Sequence, residues 1–395
     1  DGLWNDIAGE TGVDYTVTAD DLTFNIRLKQ TFSDGSELYS NEIVVTDEIV
    51  LPWENWNGGV WHVKNLGQVP VLLGPGGSSF VSWTVDGSDQ RSISQLEIGE
   101  ERVIVSQPNQ ENMFGPEGKG GRNDNAEFEF GSYTDTSLVR SLASCFEYCD
   151  KFNGSLGGNW DTSNVTNMRR VFGETRVFNQ DIGSWDTSKV TDMNGMLLYA
   201  SAFDQNIGSW NVGNVTNMGS MLYGAYVFNQ DIGNWDVSNV TDMSYMLHQA
   251  HAFNQYIGSW DTSNVKSMDN MLSSCYVFNQ DISTKQVTVN GITYTAWDTS
   301  NVTEMRGLFN GATEFNSDIS NWDVNNVSNM YYMFFNAQAF NSDISNWKVG
   351  NVTSMNKMFG SAGAFSQDIG SWDVGNVTNM TNMFQNAQAF NSNIS

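Results

Sequence analysis

The sequence predicts a mixed α/β solenoid, a stack of about ten 25-residue coils preceded by β-sandwich-like regions. Three observations predict it. Trp160, Trp185, Trp210, Trp235, Trp260, Trp297, Trp322, Trp347 and Trp372 fall at intervals of 25 residues, with one interval of 37, and a fixed period in that range marks a solenoid. A Phe series from Phe152 and Phe178 to Phe390, and a Val series from Val165 to Val377, keep the same step. Within one period the apolar spacing changes character. It runs by threes and fours through Val190, Met193, Met196/Leu197, Ala200 and Phe203, and then differently through Ile207 to Trp210.

Along the chain, residues 1–48 read as part of a β-sandwich. Strands are expected at Tyr15–Thr18, Phe24–Phe32 and Glu42–Thr46, with an Asp-Gly-Ser turn at 34–36. Forty-eight residues are too few for a whole sandwich. The start at Asp1 and the stop at Ser395 inside a coil read as cut ends, with targeting signals outside the chain. Residues 49–130 read as a β-rich cap, because the apolar end of a stack needs covering. Its strands are expected at 60–63, 69–73, 80–85, 95–98, 102–105 and 127–130.

Residues 131–395 form the repeat. Its first coil is cryptic, with Thr134 in the Trp position, then Val139, Leu142, Cys145/Phe146, Cys149 and Phe152. In the best coil the three-to-four spacing from Val190 to Phe203 fits one face of a short helix or 3₁₀ segment. The stretch after Phe203 reads as a short strand around Ile207. Strand and helical segment alternating at this period is the leucine-rich-repeat design.

Stacking is obligatory on energetic grounds. A coil offers about six apolar side chains worth ~1.5–3 kcal/mol each when buried, while ordering its backbone costs about 1–2 kcal/mol per residue. Neighbours must supply the difference. Ala200, Ala225, Ala250, Cys275, Ala312, Ala337, Ala362 and Ala387 mark a place where only a small side chain fits. Asn after Phe and Asn before Val read as ladders bonding turn backbone. The Asn-Val-Thr triplets match a glycosylation acceptor, yet the repeat explains them without a sugar. Cys145, Cys149 and Cys275 read as buried free thiols.

The motif F-N-x-[DN]-I-[GS]-x-W-[DN]-[VT]-[SG]-N-V-T-x-M-x-x-M-[FL]-x-x-A is nearly whole at 228–250 and 365–387. It resembles the repeat of the BspA-type leucine-rich-repeat surface proteins, and the resemblance covers residues 133–395. It implies a right-handed leucine-rich-repeat-like stack exposed outside the cell and used for adhesion and binding; it does not imply catalysis, and members of the family share no one ligand. Similar repeats occur in proteins of protists and of viruses that infect microbes. Tyr15-Thr-Val-Thr, followed by Asp21-Leu22, resembles the second half of a bacterial or phage Ig-like sandwich. The run 83–88 resembles a turn of polycystic-kidney-disease-type sandwiches.

A net charge of −27 disfavours nucleic acid, whose phosphates need basic patches, and disfavours anionic membrane surfaces. No stretch is apolar enough to cross a bilayer. The 74–78 and 115–122 loops are Gly-rich but hold no phosphate-cradling motif.

Three features interrupt or decorate the repeat. The first is the insertion at 284–296, where Val287, Asn290, Gly291, Ile292 and Tyr294 carry a hairpin signal around Asn-Gly. It reads either as edge protection or as a partner contact. The second is the residue before Ile: Asp181, Asn206, Asp231, Tyr256, Asp281, Asp318, Asp343, Asp368 and Asn393. On a strand face this series is an acidic ladder, open to turn capping or to binding of Ca²⁺ or a polyhydroxylated ligand. The third is Trp53, Trp56 and Trp61, which read as the core of a small β-domain or as a sugar platform.

His62, His248 and His251 are the only histidines. His248 and His251 lack a third ligand and read as a solvated pair rather than a zinc site. The Asp residues occupy repeat positions, so no unique carboxylate pair stands in a cleft. The expectation is a non-catalytic, extracellular adhesion protein that recognises a host-surface glycan or protein through its solenoid, where avidity compounds weak contacts. No cofactor is called for, apart from the opening for Ca²⁺. The alternative is a structural component of a virion (a phage tail, fibre or spike) or of a surface appendage that assembles with other subunits.

Overall fold

The structure, a computed structural model, describes the strands named below and residues 134–157 and 160–392. β1 (Lys29–Thr31) pairs antiparallel with β2 (Glu37–Tyr39). β3 (Gly59–Gln68), β4 (Val81–Trp83), β5 (Gln90–Ser92), β6 (Glu101–Ser106) and β7 (Glu127–Phe130) form one antiparallel sheet in the order β5-β4-β6-β3-β7. The strands expected at 15–18, 42–46, 69–73 and 95–98 lie outside the described residues, as do the 34–36 turn, Trp53 and Trp56. Neither β2 nor β5 was expected, because three-residue runs such as Glu-Leu-Tyr and Gln-Arg-Ser are too short to show apolar alternation.

β7 hands the chain to the first coil. The Phe130 amide donates to the Ser155 carbonyl at 2.8 Å, and Phe130 bridges Leu156 in parallel. Trp61 of β3 is buried, with ring centroids 6.0 Å from Phe130 and 5.5 Å from Trp160. Phe130 then meets Phe146 and Phe152 at 5.8 and 6.1 Å. These rings cover the first end of the repeat core.

From Ser141 onward one residue per coil pairs in parallel with its counterpart in the next, in the series Ser141, Asn167, Asp192, Asn217, Asp242, Ser267, Glu304, Asn329, Ser354 and Asn379. The core is a set of aromatic and aliphatic columns running through these bridged coils. Successive Phe rings lie nearly parallel, with centroids at 6.0 Å for Phe178–Phe203 and 6.2 Å for Phe203–Phe228, in the range of offset stacking. From Trp185 onward the indoles are buried beside them, and from Trp210 to Trp372 each indole N–H reaches back one coil. Trp210 Nε1 donates to Ile182 O at 3.1 Å, and Trp322 Nε1 to Ile282 O at 2.9 Å. A large apolar ring with one satisfied donor is the cheapest filler for such a site.

The segment expected to be helical is not a helix. From Met193 to Phe203 the chain makes serial turns, with Met196 N bonded to Met193 O, Leu198 N to Gly195 O, and Ala200 N to Leu197 O, at 3.0–3.1 Å. The alternate amides leave the coil instead. Met193, Gly195, Leu197 and Tyr199 donate to Asn217, Gly219, Met221 and Tyr223 of the next coil at 2.6–3.0 Å. An α-helix would spend those donors on itself. Turns repeating every three to four residues give the same apolar spacing as a helix, so spacing alone cannot separate them. The strand expected at Ile207 is also absent; Ile207 lies in a turn-flanked stretch without strand pairing, and the parallel bridge sits at Asp192 and Asn217.

Polar side chains stitch the coils along their corners. Asn229 N donates to Asp204 Oδ1, and Asn254 N to Asn229 Oδ1, both at 3.0 Å. Asn214 Nδ2 donates to Ser188 O at 2.6 Å and Asn239 Nδ2 to Gly213 O at 2.7 Å, so the amides of these acceptor-like triplets are already bonded to backbone. Gly208 is required by proximity: a Cβ there would lie 2.3 Å from the Asp231 carbonyl oxygen.

Two positions past each Trp from Trp160 to Trp347, the buried residue is Thr or Val. Thr187 Oγ1 donates to Asn211 O at 2.8 Å, whereas Val212 holds the same place one coil on. Thr187→Val should therefore cost only about 0.5–1.5 kcal/mol, the net worth of one hydrogen bond, in urea unfolding. A loss above about 3 kcal/mol would refute the equivalence of the two residues at this place.

Candidate functional site

The series before Ile is exposed, but it does not stand on a strand. The Asp and Asn members from Asp181 to Asp368 sit at corners and cap their own turns. Asp181 Oδ1 accepts from Gly183 N at 2.9 Å, and Asn206, Asp231, Asp318, Asp343 and Asp368 repeat the bond two residues on, at 2.9–3.0 Å. Tyr256 breaks the series, and Asn393 lies outside the described residues. Asp281 caps Ser283 at 3.0 Å and also pairs with Lys285. Partial burial works against ionisation, yet hydrogen bonds from Lys285 and Ser283 hold the Asp281 carboxyl down at about 2. Among the described residues, no three His, Cys, Asp or Glu side chains are grouped to hold a metal ion.

The insertion forms a hairpin of β8 (Lys285–Val289) and β9 (Ile292–Ala296), with Val289 opposite Ile292. Asn290 and Gly291 turn it with φ of 50° and 81°, the pairing of positive angles that a two-residue hairpin loop needs. Tyr294 donates its hydroxyl to Ser259 O at 2.6 Å, which ties the hairpin to the preceding coil. Val287 faces Tyr294 across the ladder, and Ile292 at the tip is 68% exposed.

His248 and His251 are not a solvated pair. His248 packs between the edges of Tyr223 and Tyr245 at 4.4 and 5.5 Å, and His251 is stacked between Tyr226 and Tyr276 at 4.8 and 4.5 Å. Burial lowers the pKa of both, bringing His248 to about 4.

Another surface went unread in the sequence. Between the two Met positions of a coil, and again before the small residue, pairs of side chains point away from the core on the turn segment. Two residues per coil, four apart, hold positive φ on this face; examples are Tyr199 at 53°, Tyr245 at 59° with Gln249 at 60°, and Tyr332 at 60° with Asn336 at 57°. A side chain in this conformation costs about 1–2 kcal/mol that glycine would spare. Gly224 shows the cheaper choice, and there Tyr199 of the preceding coil leans over, 2.3 Å from where a Cβ would be.

Four consecutive coils of the turn face border a shallow, solvent-open cleft of about 290 Å³ lined by Tyr245, Asn270, Arg306, Asn310, Tyr331 and Tyr332. Arg306 crosses between coils. Its Nη2 donates to Tyr245 Oη at 2.8 Å and lies 3.4 Å from Asp269 Oδ2, while its backbone N–H reaches Asp269 Oδ1 at 2.9 Å. Tyr331 and Tyr332 meet edge to face with centroids 4.1 Å apart. Lys357 donates to Tyr332 Oη at 2.7 Å, which lowers that phenol's pKa. None of these six residues interrupts the repeat. A comparison of coils at the positions between the constant Met and Ala would have found them, since Ser244-Tyr245, Asp269-Asn270, Arg306-Gly307 and Tyr331-Tyr332 differ where everything around them is nearly fixed.

No helix among the described residues is long and apolar enough to cross a membrane. A family model described as "Mycoplasma protein of unknown function, DUF285" matches residues 121–233, 202–291 and 284–395. Neither a curated protein nor a solved structure matches the chain.

Proposed function

The chain belongs to this repeat family of unknown function, and from that premise we propose that it is a non-catalytic, extracellular binding protein that recognises a surface glycan or protein through its turn face. Its coils are read as a turn-built relative of the BspA-type leucine-rich-repeat stack, right-handed, with the sheet of β3 to β7 as its cap. The observation that carries the reading is a contrast inside each coil. Residues that pack or stitch are nearly identical from coil to coil, while the turn-face pairs vary and hold Tyr, Arg, Lys and Gln at angles that favour glycine. Local strain retained for the sake of a side chain is a mark of function.

A surface presenting one variable pair per coil suits an extended partner, because weak contacts along a line multiply. The capped Asp series and the hairpin flank this role as structural elements. The test is binding of the full chain to arrays of glycans and extracellular-matrix proteins. A Tyr199→Ala, Tyr245→Ala, Tyr331→Ala triple variant should lose at least about 90% of the signal, equivalent to about 1.4 kcal/mol. A triple substitution at the exposed Ser184, Ser209 and Asn234 should leave it intact. Binding that survives the tyrosine variant, or specific turnover of any arrayed ligand, refutes the proposal.

A further inference from the structure

We propose that the cleft between Tyr245 and Tyr331 binds a neutral, hydroxyl-rich sugar ring; this rests on the turn-face reading and names its ligand class. The first argument is size. About 290 Å³ lies at the lower edge of small-molecule sites, about 300–1,000 Å³, and the cleft is shallow and open, so it matches one ring laid against its wall rather than a ligand swallowed whole.

The second argument is the lining. Tyr245, Tyr331 and Tyr332 offer ring surface and hydroxyls, Asn270 and Asn310 offer a donor and an acceptor each, and Arg306 offers donors only. A pyranose presents C–H faces that pack on aromatic rings and a rim of hydroxyls that both donate and accept. A purely apolar ligand would leave the two carboxamides and the guanidinium dry, at about 1–3 kcal/mol for each group stripped of partners.

The third argument is charge. Arg306 and Lys357 are the cations an anionic ligand would seek, but Arg306 already shares its charge with Asp269 at 3.4 Å and bonds Tyr245 through Nη2, and Lys357 is engaged by the Tyr332 hydroxyl at 2.7 Å. Glu304 and Asp242 add negative charge around Asp269. A carboxylate entering beside them meets repulsion of about 1–4 kcal/mol per pair at contact distances. A neutral polyol meets none, and it can take the remaining guanidinium donors.

The fourth argument is that the site is set before anything binds. Asn270 sits over Gly307, where a Cβ would lie 2.3 Å from its Oδ1. Tyr332 is fixed by the Lys357 hydrogen bond and by packing 4.8 Å from Phe335. Holding side chains in place beforehand reduces the ordering cost of binding.

The experiment is ligand-observed saturation-transfer NMR on the full chain. The probes are the methyl glycosides of glucose, galactose, mannose and N-acetylglucosamine, with methyl glucuronide as the anionic comparison. At least one neutral glycoside should bind, and its affinity should fall about tenfold in Asn310→Ala and in Tyr331→Ala, the loss of one hydrogen bond or one ring contact. Asn310→Ala keeps the test informative if Tyr331→Ala does not fold. Silence from every neutral probe, binding unchanged in both variants, or binding of the glucuronide alone overturns the assignment. If the glycosides are silent while the tyrosine triple variant still abolishes array binding, the sugar assignment fails and the recognition face stands. If array binding survives that variant, the face itself is wrong.

Discussion

Trp322→Ala is expected to destabilise the repeat by about 3–5 kcal/mol, the range for deleting a large buried aromatic side chain. The indole is 3% exposed, stacks on Trp297 at 5.7 Å and lies against Phe309 at 5.9 Å. Its N–H is the donor to Ile282 O at 2.9 Å. Removing it opens a cavity and strands a buried carbonyl together. Trp322→Phe separates the two losses: the ring remains, the donor goes, and the cost should fall to about 1–3 kcal/mol. Because each coil bonds chiefly to its two neighbours, the damage should be read locally. Hydrogen exchange in Trp322→Ala should speed up most for the inter-coil amides near residues 305–340 and least for those near 165–200. Uniform acceleration along the repeat would sink the one-dimensional picture, and a loss under about 1 kcal/mol would sink the claim that the indoles carry the core.

That local coupling also explains which features were legible in the sequence. Positions such as Phe203, Trp210, Val215 and Ala225 could be placed in the core because the same packing problem recurs in every coil, and the same side chain solves it. The Asn series was legible for the same reason, since one corner geometry repeats. Local backbone was less legible. Val190, Met193, Met196 and Ala200 are spaced as on a helix, yet the donors at Met193, Gly195, Leu197 and Tyr199 leave for the next coil. The warning lay in the glycines, asparagines and serines between the Met residues, such as Gly195, Ser220, Asn270 and Asn382, which favour positive φ and turns over helix interior.

The candidate site leaves no interruption in the repeat. Interruptions of the repeat drew attention to the hairpin and to the acidic series, and that series spends an oxygen per residue on its own turn. Tyr245, Arg306 and Tyr331 interrupt nothing. They vary inside an otherwise fixed frame, and only the fold shows that four coils bring them to one cleft.

The turn face should also carry a pH signature, centred on His248. Its imidazole is wedged between Tyr223 and Tyr245, and Nδ1 is buried with no hydrogen-bond partner. Burial, reinforced by the nearby His251, lowers its pKa from 6.5 to about 4. The sign follows from linkage. In the unfolded chain His248 takes its proton as pH falls through 6.5, whereas the folded chain refuses it until about 4. The stability that depends on a neutral His248 is therefore complete above pH 6.5, drains away as pH falls, and is gone below about 4. Discounted for partial exposure, the drain is on the order of 1–3 kcal/mol. His248→Phe keeps the edge contacts and removes the titration. Carboxylates that protonate in the same window are common to both proteins and cancel in the difference. Urea unfolding from pH 7 to pH 4 should show the variant gaining on the wild type by that amount as pH falls. Parallel pH profiles would mean that this imidazole reaches water in the folded chain, and that the turn face is more open around Tyr245 than its packing indicates.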